Sequence, residues 1–120
     1  MATSHELASF VASSFRSVWA LELLLLLKEQ QRPRTTEELV ALMRASPRVV
    51  ENALEALIAA GLVDTDGEAV SYMPVGLEVA RLVDETEQLY RSHPDRVRRL
   101  IIASSQKGLT AFSNAFRLKD

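Results

Sequence analysis

Between Thr35 and Tyr72 the apolar positions keep a helical period twice and then abandon it. Leu39, Leu42 and Met43 fall on one helical face, and Val50, Ala53, Leu54, Leu57 and Ile58 recur at the same spacing further on. Thr35 followed by Glu38 has the form of a capping box, so the first helix is predicted to begin at Thr36. Ser46-Pro47 supplies an N-cap serine and a proline at the first helical position, so a second helix follows with almost no loop. Gly61 is the residue suited to turn the chain off that helix. Beyond it, Leu62 to Thr65 and Glu68 to Tyr72 flank Asp66-Gly67, which predicts a hairpin with a two-residue type I′ turn and Val63 opposite Val70.

The rest of the chain reads as helices around this unit. Leu7, Phe10, Val11, Ser14 and Phe15 mark an amphipathic helix over His5 to Phe15, and Ser17 can cap another from Val18 to Gln30. Leu21 and Leu23 to Leu27 occupy most of that second helix's circumference, which one apolar stripe cannot explain. It is expected to be covered on two sides, by the helices that follow and by the N-terminal helix, the C-terminal helices or a second subunit. Gln30 to Arg34 is a polar connection, and Met73-Pro74 ends the second strand. Leu77 to Arg91 carries a further stripe, Ser92-His93-Pro94-Asp95 breaks it, and Asp95 to Ser105 should be a short helix with a basic face. Lys107-Gly108 reads as a turn before a last amphipathic helix marked by Leu109, Phe112, Ala115 and Phe116. The expected fold class is mostly α with a small β-hairpin. Its 120 residues suit one domain, 1–120, with an N-terminal helix over 1–16, a core over 17–73 and C-terminal helices over 74–120.

The order of helix, tight turn, helix, glycine and hairpin resembles the winged helix-turn-helix domain of bacterial transcription regulators such as the MarR-like families. Thr35-Thr36-Glu37-Glu38-Leu39, Ser46-Pro47-Arg48-Val49-Val50 and Leu57-Ile58-Ala59-Ala60-Gly61-Leu62-Val63 carry the likeness, which extends from about Ser17 to Tyr72. The resemblance implies a winged helix-turn-helix with extra N- and C-terminal helices, and a cytoplasmic regulator of transcription that forms a homodimer through its flanks. It also implies that the helix starting at Ser46 enters the major groove of double-stranded DNA. The DNA-binding positions would then be Ser46, Arg48, Val49 and Asn52, of which arginine can pair with guanine and asparagine with adenine. The plain alternative is that these side chains form a solvated helix face.

Charge complicates that expectation. The chain carries a formal net charge of -2. From Thr35 to Met73 two arginines, Arg44 and Arg48, stand against seven carboxylates, Glu37, Glu38, Glu51, Glu55, Asp64, Asp66 and Glu68. Phosphate contacts come largely from Lys and Arg, so a hairpin with three carboxylates and no cation would be repelled. Cations lie outside this stretch. Lys28, Arg32 and Arg34 surround the loop before it, and Arg91, Arg96, Arg98, Arg99 and Lys107 lie towards the end. Arg32 and Arg34 are added to the DNA-binding set on the expectation that folding sets them beside the reading helix. Arg96, Arg98 and Arg99 have the alternative of pairing with Asp95 or Glu87 as an ordinary polar face. The acidic surface favours a second reading, a protein-protein interaction or adaptor module on the same scaffold that binds a basic protein surface. The tail from Leu109 to Leu118 is either a helix-in-groove segment for such a partner or part of the domain's own core.

Other chemistries have little support. With no cysteine, disulfides, thiolate metal sites and cysteine nucleophiles are excluded. His5 and His93 are the only histidines and neither has ligand spacing, so no metal or cofactor is expected. There is no glycine-rich phosphate loop and no nucleophile motif, so the chain does not read as an enzyme. The longest apolar run, Val18 to Leu27, is interrupted by Glu22 and falls well short of the roughly 20 residues a bilayer requires, so no membrane association is expected. Met1 to Glu6 lacks the pattern of a signal peptide, in keeping with a cytoplasmic protein.

Overall fold

The computed structural model describes residues 3–104. The expected turn at Lys107-Gly108 and helix through Leu109 and Phe116 lie outside the described residues. What is described is mostly helical with a small antiparallel three-stranded sheet.

Helix α1 (Ser4–Ser14) is capped by Thr3, whose hydroxyl accepts from the Glu6 N–H, and α2 (Val18–Gln30) is capped by Ser17 in the same way from Ala20. The two helices meet at 102°. Phe10 and Phe15 pack edge to face at that corner, with ring centroids 6.0 Å apart. Leu21, Leu23, Leu24 and Leu27 are wholly buried, so α2 is the axis of the core. It packs against α4 (Pro47–Ala59) and strand β3 (Ala69–Tyr72). Val11, Phe15, Val83, Val97 and Ile101 belong to the same buried cluster. Most of the leucine surface that suggested a second subunit is covered by this chain itself, while Leu25 and Leu26 are half-buried.

The capping box at Thr35 and Glu38 is formed on both sides and starts α3 (Thr36–Met43). Arg44 closes α3 in the left-handed region, φ 54°, and Ser46 accepts from the Val49 N–H to open α4. Along α4, Val50, Ala53, Leu54 and Leu57 are buried as their spacing requires. Two expected core positions are not: Leu42 and Ile58 are exposed. Each lies at the edge of its apolar arc, where no neighbouring element covers it.

Strands β1 (Arg34–Thr35), β2 (Val63–Thr65) and β3 form a sheet in the order β1-β3-β2. Strand β1 joins the last residue of the expected polar connection to the capping Thr35, and the sequence does not predict it, because two residues are too few to display a period of two. The hairpin register also differs from the expected one: Val63 pairs with Tyr72 and Thr65 with Val70. The shift is by two positions, so alternation is preserved and both valines still face the core. Side-chain bonding accounts for the wider turn. The Asp66 carboxylate accepts from the N–H groups of Glu68 (2.8 Å) and Ala69 (2.9 Å), while the Thr65 hydroxyl donates to the Ala69 carbonyl (3.0 Å). These bonds replace the short main-chain turn that Asp66-Gly67 would otherwise make.

After β3 the chain folds back over the end of α4, with the Val75 N–H donating to the Gly61 carbonyl at 3.0 Å. Helix α5 (Leu77–Ser92) buries Val83 and Thr86, and its first residue, Leu77, is exposed. Helix α6, over residues 94–104, buries Val97 and Ile101 and returns to α1, where the Ser104 hydroxyl donates to the Ala12 carbonyl at 2.9 Å. Among the described residues no single helix is long and apolar enough to cross a membrane.

Candidate nucleic-acid interface

The sides of α4 follow from its burial. With Val50, Ala53, Leu54 and Leu57 turned inward, Arg48, Glu51, Asn52 and Glu55 are left on the outer side. Arg48 and Asn52 are exposed and have no hydrogen-bond or ion-pair partner among the described residues. Ser46 is also exposed, but its hydroxyl oxygen accepts from Val49 at 3.2 Å, so it acts as a cap. Val49 is half-buried. It lines a hollow of about 580 Å³ between α4 and the start of α2, together with Arg16, Trp19 and Asn52. The structure thus brings together Arg48, Val49 and Asn52 around the first two turns of one helix.

The two loop arginines do not join them. Only 13 % of the Arg34 side chain is exposed, and its guanidinium donates to the Glu38 carboxylate at 2.9 Å and to the side-chain Oε1 of Gln30. That ion pair, with the Thr35 main-chain hydrogen bond, holds the Glu38 carboxyl below its ordinary range. Arg34 is thus engaged within the fold, its guanidinium held between Gln30 and Glu38. Arg32 is exposed and unpartnered among the described residues. It borders a hollow with Lys28, Ser71 and Tyr72, at the end of β3 remote from the hairpin turn.

Most later cations are engaged as well. Arg91 pairs with Glu87 at 3.2 Å, Arg98 pairs with Asp95 at 3.4 Å and lies over the Tyr90 ring, and the Arg99 Nε donates to the Asp95 carbonyl. The expected pairing with an acid is made by Arg98, whereas Arg99 bonds a main-chain carbonyl and the Arg96 side chain has no partner among the described residues. Lys107 lies outside them.

Two cations that the sequence argument gave no part in the site stand near α4. Arg44 is exposed and unpartnered in the turn immediately before it. Arg16, in the α1–α2 corner, lines the hollow with Val49 and Asn52. Sequence separation hid Arg16, since its approach to α4 depends on the sharp angle between α1 and α2. Its only local signal is its place directly before the capping Ser17.

The hairpin remains acidic. Asp64, Asp66 and Glu68 are all exposed. Hydrogen bonds from the Ala69 and Glu68 main-chain N–H groups hold the Asp66 carboxyl below its usual range, so its charge persists into acid. Among the described residues no group of three or more histidines and carboxylates is placed to hold a metal ion. Compared with known proteins, the chain matches no family model, no curated protein and no solved structure.

Proposed function

We propose that this is a winged helix-turn-helix protein that binds double-stranded DNA through α4 as a regulator of transcription. The observation that carries the reading is the outer side of α4, where Arg48 and Asn52 stand exposed and unpartnered, with Arg44 before them and Arg16 beside them. The element order supports it: a helix, a short strand, two closely joined helices and a hairpin, with the first strand added beside the hairpin's second. In this reading Asn52 reads adenine, Arg48 reads guanine or holds phosphate, and Arg44 and Arg16 hold phosphates on either side. The hairpin stands off the phosphates because its three carboxylates repel them.

The test is a fluorescence titration of labelled duplex at increasing salt. Binding should weaken steeply with salt, and Arg48→Ala and Arg44→Ala should each lower the slope of log K against log salt by about 1. Absence of binding at low salt overturns the reading.

A second reading is favoured by the same hairpin: an adaptor that presents Asp64 and Glu68 to a basic protein surface. It expects capture of a basic partner that is lost in the Asp64→Lys/Glu68→Lys variant, and no duplex binding.

A further inference from the structure

Trp19 is the only tryptophan of the chain, and at 45 % it is the most exposed aromatic side chain among the described residues. It borders two hollows. One, of about 390 Å³, lies towards α3, with Glu22, Leu26, Leu42 and Met43 in its walls. The other is the 580 Å³ hollow towards α4. Ala53, Ala56 and Ala59 give it a floor with no side chain longer than a methyl group, while Arg16 and Asn52 contribute polar groups with no partner among the described residues. Its volume falls within the range of small-ligand sites.

An open indole, an uncommitted carboxamide and an uncommitted guanidinium around a smooth floor match the three parts of an unstacked nucleotide. Aromatic rings bind bases by stacking. A carboxamide offers a donor and an acceptor that complement the edge of adenine. A guanidinium forms charge-assisted bonds to phosphate. A duplex cannot supply such a ligand, because its base faces are covered by their neighbours.

We propose that the hollow between α2 and α4 binds an adenine nucleotide, either free or as an unpaired residue of a single strand, with the base on Trp19, its edge on Asn52 and its phosphate on Arg16. Glu55, also in the wall, repels the phosphate and leaves Arg16 as the hollow's cationic side. Arg16, Val49 and Asn52 are shared with the duplex surface proposed above, but the inference does not rest on duplex binding, and its titrations contain no duplex.

Fluorescence of Trp19 in the full chain is the readout. The protein is titrated with AMP and with a short oligo-deoxyadenylate. Saturable quenching by AMP identifies free nucleotide as the source, and quenching by the strand alone identifies single-stranded nucleic acid. Arg16→Ala and Asn52→Ala change exposed side chains, so the fold should survive, as an unchanged melting curve would verify. Each should weaken the response by on the order of tenfold. No quenching by millimolar AMP or by the strand overturns the proposal. An undiminished response in both variants overturns it too.

Discussion

The Nζ of Lys28 on α2 lies 2.8 Å from the Oε1 of Glu87 on α5, and the same ammonium reaches Asp84 at 3.2 Å. Both main partners are partly shielded, with 24 % of the Lys28 and 15 % of the Glu87 side chain exposed. Glu87 above all, aided by Asp84, raises the lysine pKa despite the opposing effect of burial. Lys28→Met should therefore lower stability by about 1 kcal/mol, between the values of exposed and buried pairs. A raised lysine pKa means that the folded state holds its proton more tightly than the unfolded chain. The contribution is thus complete below the unfolded value of about 10.4 and is lost as pH rises through the folded pKa. Urea melts at pH 8 and above pH 11 should show the difference between Lys28→Met and the parent shrinking.

Glu38 and Asp66 act in the opposite direction. Both carboxyls are held below their ordinary range, Glu38 by Arg34 and Asp66 by main-chain N–H groups of the turn. Their contributions are complete above the unfolded values near pH 4 and are lost as pH falls through the lower folded values. Amide exchange at Glu68 and Ala69 should accelerate relative to the core on acidification below pH 4. In Asp66→Ala it should be fast at every pH.

Gly61 takes φ +75°, and a Cβ built there would lie 2.8 Å from the Val75 Cγ1. Val75 is 75 % exposed and can swing aside, so the backbone conformation should dominate the cost. Gly61→Ala is expected to lose about 1 to 2 kcal/mol. Adding Val75→Ala should recover only a small part. Thermal melts of both variants check this, and full recovery in the double variant would place the cost in the side-chain clash instead.

These positions mark what the sequence could and could not reveal. Thr35, Ser46 and Gly61 act through their immediate neighbours, so caps and chain reversals were readable from local chemistry. The turn at Asp66 was also local, yet its width depended on a competition between side-chain and main-chain acceptors that a dipeptide preference does not capture. Strand β1 exists only because Arg34 and Thr35 meet Val70 and Ala69 across the sheet. Within the candidate site, Arg48 and Asn52 were legible from the period of α4. Arg16 was not, because only the corner between α1 and α2 brings it there, and the engagement of Arg34 by Gln30 and Glu38, each four residues away, depends on how the chain turns between α2 and α3.

The hairpin offers a gain-of-function test. If its carboxylates hold it off the phosphates, Asp64→Lys with Glu68→Lys should strengthen duplex binding and steepen its salt dependence. Asp66 should be left intact, since it fastens the turn. Unchanged affinity in a folded variant would mean that the hairpin lies far from the DNA.

The most direct test of α4 as the reading element is an amide chemical-shift titration of the labelled protein with a mixed-sequence duplex at low salt. The largest changes are expected from Arg44 to Asn52 and at Arg16, with little change at Asp64 to Glu68. Changes centred on the hairpin, or none along α4, would contradict the account.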